Sequence, residues 1–304
     1  MKKVRYQCKI DDVDERLDKV LLKILNDKSR SFIQNIILKK EVFVNNKVRK
    51  QSYRLKEGDI IELTLEDPIP LLIKKEDIYL DILYEDEIVI IINKPQGMVV
   101  HPAPGNYDKT VVNAILNHCG DSLSGINGII RPGIVHRIDK NTSGVVVIAK
   151  NDLAHINLSK QFKEHTIKRK YVALVEGVIK DSEGIINKPI GRNKKIRTQM
   201  AICEDGKSAV THFKVIKTYD NHSLIECTLE TGRTHQIRVH LNSIGHPVVG
   251  DSIYGYKKQK FNLRGQMLHA KTLGFYHPKN NNYVEFTTDL PEYFKNLIEV
   301  LDKK

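Results

Sequence analysis

The sequence has few cysteines, and the four that occur are scattered, so no Cys-x-x-Cys pair is formed. That pattern indicates neither a zinc site nor a disulfide framework, and a reducing, cytoplasmic setting fits best. No stretch approaches about 18 consecutive apolar residues, so we expect no membrane-spanning helix. The N-terminus lacks the apolar segment of a secretory signal. Dinucleotide-binding glycine motifs, a P-loop and metal-ligand spacings are missing as well.

Positive charge is abundant: 49 Lys and Arg residues face 37 Asp and Glu residues, a net charge of +12. This balance favours an anionic partner. The distribution is more informative, because Glu41 is the single acidic residue among many basic ones between Lys28 and Lys56. Such a local excess is typical of a surface that binds a phosphate backbone. A solvated basic face is the alternative interpretation.

Residues 13–66 have the pattern of a compact α/β module. Leucines at spacings of four residues predict the first helix, and Ser29 is a suitable N-cap for the second. The predicted elements are helices over 15–25 and 30–39 and strands over 42–44, 47–48 and 60–65. Asp67-Pro68-Ile69-Pro70 cannot pair regularly, so we interpret 67–80 as a linker and 81–304 as a second, larger domain.

Four short motifs lie in the first module: Arg16-Leu17-Asp18-Lys19-Val20-Leu21, Ser29-Arg30-Ser31, Val42-Phe43-Val44-Asn45 and Gly58-Asp59. Together they resemble the S4 RNA-binding module, in which two packed helices lay basic side chains along RNA. The resemblance implies that Arg30, Lys39, Lys40 and Lys47 contact phosphates. A purely structural module is the alternative.

The region 81–304 alternates strand-like and helix-like runs. Residues 88–93 and 144–149 are short apolar runs without a polar face, which predicts buried strands. Residues 151–165 predict a helix, and 224–229 predict a strand. Repeated βαβ units with a phosphate loop are not evident. We therefore predict an α+β fold with a mixed sheet flanked by helices rather than a doubly wound parallel sheet.

The segment 131–144 contains a lone carboxylate, Asp139, in strongly basic surroundings. In one interpretation Asp139 acts chemically. In the other it accepts hydrogen bonds from nearby backbone N–H groups, as Asp often does in turns. The kinase loop His-Arg-Asp is excluded, because Ile138 separates Arg137 from Asp139 and no Asp-Phe-Gly motif follows.

Two further polar clusters lie at 168–174 and 231–241. In the first, Tyr171 follows three cations and is either a core aromatic or a platform for an unstacked base. In the second, Thr234 is a plausible N-cap for a helix that ends near Gly245. Arg238 lies on a flanking side of that helix, where it is either a surface residue or the partner of a carboxylate.

Taken together, these clusters resemble one family. The stretch His136-Arg137-Ile138-Asp139-Lys140-Asn141-Thr142-Ser143-Gly144 is similar to the signature of the RluA superfamily of pseudouridine synthases. The flanking motifs resemble its RluD branch, which acts on large-subunit ribosomal RNA. They are Asn93-Lys94-Pro95-Gln96-Gly97, the motif that begins Val100-His101-Pro102-Ala103, Gly250-Asp251-Ser252-Ile253-Tyr254-Gly255 and Leu268-His269-Ala270.

The resemblance implies the pseudouridine synthase fold, a mixed and largely antiparallel sheet with the active cleft across its middle. It also implies that Asp139 is catalytic, that Tyr171 lies under the target base and that Arg238 pairs with the aspartate. Arg137 would help to displace the target nucleotide. The other RNA contacts predicted in this region are His136, Thr142, Arg233 and His235.

No cofactor and no metal are implied. The expected partner is structured RNA, either 23S ribosomal RNA or large-subunit assembly intermediates, with the protein acting as a monomer. The same chemistry on transfer RNA or on another ribosomal uridine is an alternative. A second alternative is a non-catalytic RNA-binding assembly factor with the same fold. A metal-dependent nuclease is disfavoured, because the acidic residues in the motifs are isolated.

Overall fold

The structure is a computed structural model. It describes residues 2–25, 30–65, 73–103, 105–120, 123–124, 126 and 131–303. The chain divides into two compact units, Met1–Pro70 and Leu71–Lys304. The proposed cap Ser29 and part of the predicted linker, 67–72, lie outside the described residues, so the domain boundaries stay a prediction. Among the described helices, none is both long and apolar enough to cross a membrane.

The first unit combines two helices with a four-stranded antiparallel sheet of order β1-β4-β2-β3. Its elements are β1 (Lys2–Gln7), α1 (Leu17–Ile24), α2 (Arg30–Leu38), β2 (Val42–Val44), β3 (Lys47–Val48) and β4 (Ile60–Leu65). The predicted helices and strands are confirmed. Strand β1 was not predicted, and it joins the sheet by pairing along the whole of β4.

The periodicity of α1 explains how this unit folds. Leu17, Val20 and Leu21 are fully buried on one side of the helix and share a core with Ile33 of α2. Between β2 and β3, Asn45 and Asn46 both have positive φ, of 50° and 60°. Asn tolerates this conformation better than most residues and is favoured in such two-residue hairpin turns.

The second unit is built on a nine-stranded sheet of order β5-β6-β7-β14-β8-β13-β12-β9, with β15 also paired to β14. The strands of this sheet are β5 (Ile82–Glu85), β6 (Val89–Lys94), β7 (Ser143–Ala149), β8 (Lys168–Glu176), β9 (Glu183–Asn187), β12 (Val210–Tyr219), β13 (His222–Leu229), β14 (Leu268–Tyr276) and β15 (Tyr283–Thr287). A separate antiparallel pair consists of β10 (Ile190–Arg192) and β11 (Met200–Ile202). The helices are α3 (Val111–Cys119), α4 (Asp152–Glu164), α5 (Gln236–Ser243) and α6 (Glu292–Asp302). Among the described pairs of strands, only β7 and β14 run parallel. The prediction of a mixed, largely antiparallel sheet is therefore confirmed.

Two neighbouring strands of the sheet, β6 and β7, are buried. Every residue of β7 is buried, and β6 is buried at all but one position, which confirms the two predicted core strands. Helix α4 begins where it was predicted, and its N-cap Asn151 accepts a hydrogen bond from the backbone N–H of Ala154. The predicted cap Thr234 is wrong by one residue: α5 begins at Gln236 after His235, whose φ is 56°.

Candidate active site

Three charged side chains of the second unit, Asp139, Arg238 and Asp251, are connected by hydrogen bonds. Nη1 of Arg238 donates a hydrogen bond of 2.9 Å to Oδ2 of Asp139. Nε and Nη2 of the same guanidinium donate to the two carboxylate oxygens of Asp251, at 2.6 and 2.8 Å. The structure therefore brings together Asp139 and Arg238, which are 99 positions apart in sequence, and adds a second carboxylate to the pair.

These three groups differ in their access to solvent. The side chains of Arg238 and Asp251 are 4 % and 0 % exposed, whereas that of Asp139 is 19 % exposed. Burial pushes the pKa of Asp251 upward, but the hydrogen bonds and charge of Arg238 outweigh it and leave the pKa lowered. Burial opposes the charge on Arg238, yet Asp251 and then Asp139 raise its pKa. The guanidinium is thus a fixed cation facing the more accessible carboxylate.

The loop that follows Gly250 fixes the guanidinium from several sides. Oδ1 of Asp251 accepts hydrogen bonds from the backbone N–H groups of Ile253 and Tyr254, at 2.9 and 3.0 Å. The ring of Tyr254 lies 5.0 Å from the guanidinium carbon of Arg238, a distance suited to a cation–π contact. The hydroxyl of Tyr254 accepts the backbone N–H of Met200 and lies 2.8 Å from Nδ1 of His235.

His235 borders the same carboxylate. Its Nε2 lies 3.8 Å from Oδ1 of Asp139, too far for a direct hydrogen bond. Burial lowers the pKa of His235, although the charge of Asp139 acts in the opposite direction. Since Nδ1 is engaged with Tyr254, the imidazole is held with its other nitrogen toward Asp139.

An open cavity adjoins these three charged side chains. Its lining includes Asp139 and Arg238 together with five other residues predicted from sequence: Arg137, Thr142, Tyr171, Arg233 and His235. Burial raises the pKa of Tyr171, so its hydroxyl stays protonated. That hydroxyl makes no hydrogen bond to the described part of the protein.

The loop that carries Asp139 is held by buried polar contacts. Nζ of Lys94, which is fully buried, donates to the backbone carbonyls of Pro95, Met98 and Lys140 at 2.8, 2.8 and 3.2 Å. Burial lowers the pKa of Lys94 to about 7, while three acceptors match the three N–H bonds of an ammonium. The backbone carbonyl of Asp139 accepts the N–H of Thr142. The Asp139 carboxylate is thus left for Arg238 and the cavity.

Not all of the predicted RNA contacts line the cavity. His136 stacks on Phe162, and its Nε2 accepts the backbone N–H of Val147 at 3.0 Å. Burial, with a smaller contribution from Arg169, lowers the pKa of His136 to about 3. The neutral ring therefore helps to fix the loop, and the predicted RNA contact of His136 stays a prediction.

The basic residues predicted in the first unit are described separately. Lys39, Lys40 and Lys47 are exposed there, and the ammonium of Lys39 lies 3.9 Å from Glu41. Arg30 begins α2, but its side chain lies outside the described part of the structure.

The sequence interpretation gave no role to Asp251, Tyr254 or Arg169. The first two lie in the motif Gly250–Gly255, which contributed to the family resemblance but carried no indication of a partner. Arg169 is 6 % exposed, and its Nη2 donates to the backbone carbonyl of Glu230 at 2.8 Å. Its position supports the loop that leads to Arg233. These roles depend on contacts between segments distant in sequence, which residue spacing does not reveal.

Comparison with known proteins places this geometry in a family. Residues 88–243 match the family model described as RNA pseudouridylate synthase, and residues 15–61 match the S4 domain. The chain is 48 % identical over 303 residues to an uncharacterized RNA pseudouridine synthase of Bacillus subtilis, covering 100 % of this chain and 99 % of that protein. It is 45 % identical to ribosomal large subunit pseudouridine synthase D of Zymomonas mobilis, covering 94 % of this chain and 93 % of that one.

Solved structures agree with this assignment. Human RNA pseudouridylate synthase domain containing 1 matches with a TM-score of 0.58 and 27 % identity, covering 74 % of this chain and 96 % of the human chain. The predicted pseudouridine synthase fold with an N-terminal S4 domain is therefore confirmed. The chain belongs to the RNA pseudouridine synthase family and is an isomerase that acts on uridines in RNA.

Proposed function

We propose that this enzyme isomerises uridines of large-subunit ribosomal RNA, with Asp139 as its catalytic carboxylate. The observation that carries the catalytic part is the hydrogen bond of 2.9 Å between Arg238 and Asp139 at the wall of the open cavity. The ribosomal target is supported by relatives named ribosomal large subunit pseudouridine synthase D, at 39–45 % identity over 94 % of this chain.

The reaction itself defines what the site must do. Pseudouridine is an isomer of uridine, so the C1′–N1 bond breaks, the uracil rotates and C5 joins C1′. A base cannot rotate inside a stack, so the nucleotide must leave the helix, which costs a few kcal/mol of stacking. Arg137 is exposed at the cavity wall, where its planar guanidinium can occupy the vacated stack.

Within the cavity, Tyr171 offers an aromatic face to the everted uracil, and Asp139 faces the ribose. The carboxylate must be ionised to act at C1′ or C2′, and a guanidinium in contact favours the ionised form. Arg238 suits this role because Asp251 holds it in place and keeps it charged. We assign no chemical step to His235, whose imidazole borders the carboxylate of Asp139.

The basic residues of the S4 domain supply the second part of the proposal. Lys39, Lys40 and Lys47 are exposed and would contact phosphates, so that affinity depends on the RNA backbone as well as on the target nucleotide. We expect the enzyme to act as a monomer in the cytoplasm.

The test is to map pseudouridine in ribosomal and transfer RNA from cells that lack the protein and that are complemented with the wild type, Asp139→Asn or Asp108→Asn. We expect specific pseudouridines to vanish from large-subunit RNA and to return with the wild type and with Asp108→Asn, which alters an exposed aspartate outside the cavity. Asp139→Asn should not restore them. Loss of pseudouridine from transfer RNA alone would reassign the substrate, and restoration by Asp139→Asn would reassign the carboxylate.

Binding measurements separate catalysis from recognition. Asp139→Asn removes charge but little shape, so we expect its affinity for the unmodified large-subunit transcript to stay within about tenfold of the wild type. A larger loss would mean that the carboxylate is needed for binding or folding.

A further inference from the structure

A second cavity, of about 310 Å³, adjoins the first at the catalytic loop. The two share a wall formed by Arg137, Ile138, Asp139, His235 and Arg238. Tyr171 borders only the first cavity, whereas His101, Lys140 and Ser252 border only the second. Asp139 therefore separates the site proposed for the uracil from a neighbouring space that the proposed reaction does not use.

The walls of the second cavity carry an excess of positive charge. Asp139 is the one acidic residue among those that line it, and its carboxylate is paired with Arg238. The ammonium of Lys140 donates to the neutral amide oxygen of Asn106 at 2.9 Å. Arg137 makes no ion pair within the described ranges of the chain. Two cations thus face the cavity without carboxylate partners of their own.

His101 adds an unpaired imidazole nitrogen to this wall. The residue is 4 % exposed, and Nδ1 is buried without a hydrogen-bond partner among the residues that the structure describes. Its segment is fixed, because the carbonyls of Val99 and Val100 accept the first N–H groups of α3, from Val111 and Val112. Burial, together with the charges of Arg131 and Arg137, lowers the pKa of His101 to about 4. The imidazole is therefore neutral and carries one N–H.

Buried polar groups normally have partners, so an unpaired nitrogen beside a cavity is available to a ligand or to an ordered water. An everted uridine whose ribose faces Asp139 has phosphates attached at its C3′ and C5′ oxygens. At least one of them must lie in the space next to Asp139. A phosphodiester oxygen accepts hydrogen bonds and attracts cations, which matches the donors and the charge on this wall.

We propose that the second cavity binds a phosphodiester group that flanks the target uridine, with His101 donating a hydrogen bond and Lys140 providing charge. This subsite rests on the proposed function, since the position of the ribose follows from Asp139. Holding the flanking phosphate would fix the sugar while the uracil detaches and rotates. His101 and Lys140 are thus positioning residues for the substrate.

The test uses isothermal titration calorimetry of the full chain with uridine, uridine 3′-monophosphate and uridine 5′-monophosphate. We expect at least one monophosphate to bind about tenfold more tightly than uridine, because hydrogen bonds to a charged group are stronger than neutral ones. In the double variant His101→Leu with Lys140→Gln, that preference should fall to less than about threefold, with the Kd of uridine unchanged.

Two further variants control this measurement. His101→Gln keeps a neutral N–H donor and should retain most of the preference, which a purely structural role of the ring does not predict. Lys47→Gln removes an exposed cation from the first unit and should leave the preference intact. If it abolishes the preference, the phosphate binds to the S4 domain and the subsite is wrong.

Absence of monophosphate binding, equal Kd values for uridine and both monophosphates, or an unchanged preference in the double variant overturns the subsite. Conversion of the large-subunit transcript, assayed on the same preparations, tests the proposed function separately. Conversion without a phosphate preference rejects the subsite alone. A preference without conversion rejects large-subunit RNA as the substrate, while the phosphate site beside Asp139 is retained.

Discussion

Asp251 holds Arg238 through two hydrogen bonds, of 2.6 and 2.8 Å, although its own side chain is completely buried. The remaining Nη1 of the guanidinium reaches Asp139. The carboxylate of Asp251 therefore fixes the guanidinium of Arg238. The carboxylate of Asp139 is more exposed and can also contact a substrate in the cavity. Two acidic groups of the same kind acquire different roles because only one of them borders the cavity.

Asp251→Asn should weaken the second unit more than any surface change. The substitution leaves the buried guanidinium with one carboxylate instead of two, and breaking a buried ion pair costs about 3–5 kcal/mol. Differential scanning calorimetry should show the transition of the second unit at a lower temperature, with that of the first unit unchanged, because the units are compact separately. Turnover should fall as well, since Arg238 loses its fixed position.

Glu87→Gln is the matched control for this variant. Glu87 pairs with Lys279 at 2.6 Å, but both side chains are largely exposed, and exposed pairs are screened by water. Its melting profile should coincide with that of the wild type. A similar effect of the two substitutions would show that the buried position of Asp251 is not what matters.

Tyr171→Phe should keep activity far better than Tyr171→Ala. The hydroxyl has no partner in the described structure, and burial raises its pKa. We therefore expect the substrate to need the ring more than the oxygen. Base–aromatic stacking contributes about 1–3 kcal/mol, which corresponds to a loss in kcat/KM of roughly 5- to 150-fold for Ala. Steady-state kinetics on the large-subunit transcript measure this. Equal losses in both variants would instead assign a role to the hydroxyl.

Gly144→Ala should disrupt the loop that carries Asp139. Gly144 has a φ of 119°, and a Cβ there would lie 2.1 Å from the backbone carbonyl oxygen of Ala270 on β14. Backbone in a central strand cannot move aside, so the overlap adds to the roughly 1–2 kcal/mol for an unfavourable φ. We expect little folded protein, measured as soluble yield and melting temperature.

Gly245→Ala provides the comparison, because its φ is 84° but nothing lies within 4 Å of the added Cβ. It should cost only the conformational strain, about 1–2 kcal/mol, and remain soluble. If the two variants melt at the same temperature, the close approach of β7 to β14 is not the reason for glycine at position 144.

The elements of the fold that could be predicted from the sequence are those encoded locally. Leucine spacing located α1, the apolar runs located β6 and β7, and the asparagine pair located the turn between β2 and β3. Strand β1 carries no such pattern, since its strand character depends on pairing with β4 far along the chain. The predicted N-cap of α5, Thr234, is one residue too early. The residue that precedes the helix is His235, which has a left-handed backbone conformation.

The same distinction applies to the site. Family resemblance led to Asp139, Tyr171 and Arg238, and all three line one cavity. It also predicted an RNA contact for His136, and it gave no sign that this ring stacks on Phe162. A histidine beside a catalytic motif has the same sequence signature whether it faces substrate or core, and packing alone decides between them.

The S4 domain should control how strongly binding depends on salt. Lys39→Gln, Lys40→Gln and Lys47→Gln together remove three exposed cations. Each lost phosphate contact should reduce the slope of log K against log salt by roughly 0.7–0.9, so the triple variant should lose about 2.1–2.7. Filter binding of the large-subunit transcript over a range of salt concentrations measures the slope.

As a control, Lys160→Gln, Lys163→Gln and Lys279→Gln remove the same charge from exposed positions of the second unit that line neither cavity. If both triple variants change the slope equally, net charge rather than the S4 surface anchors the RNA.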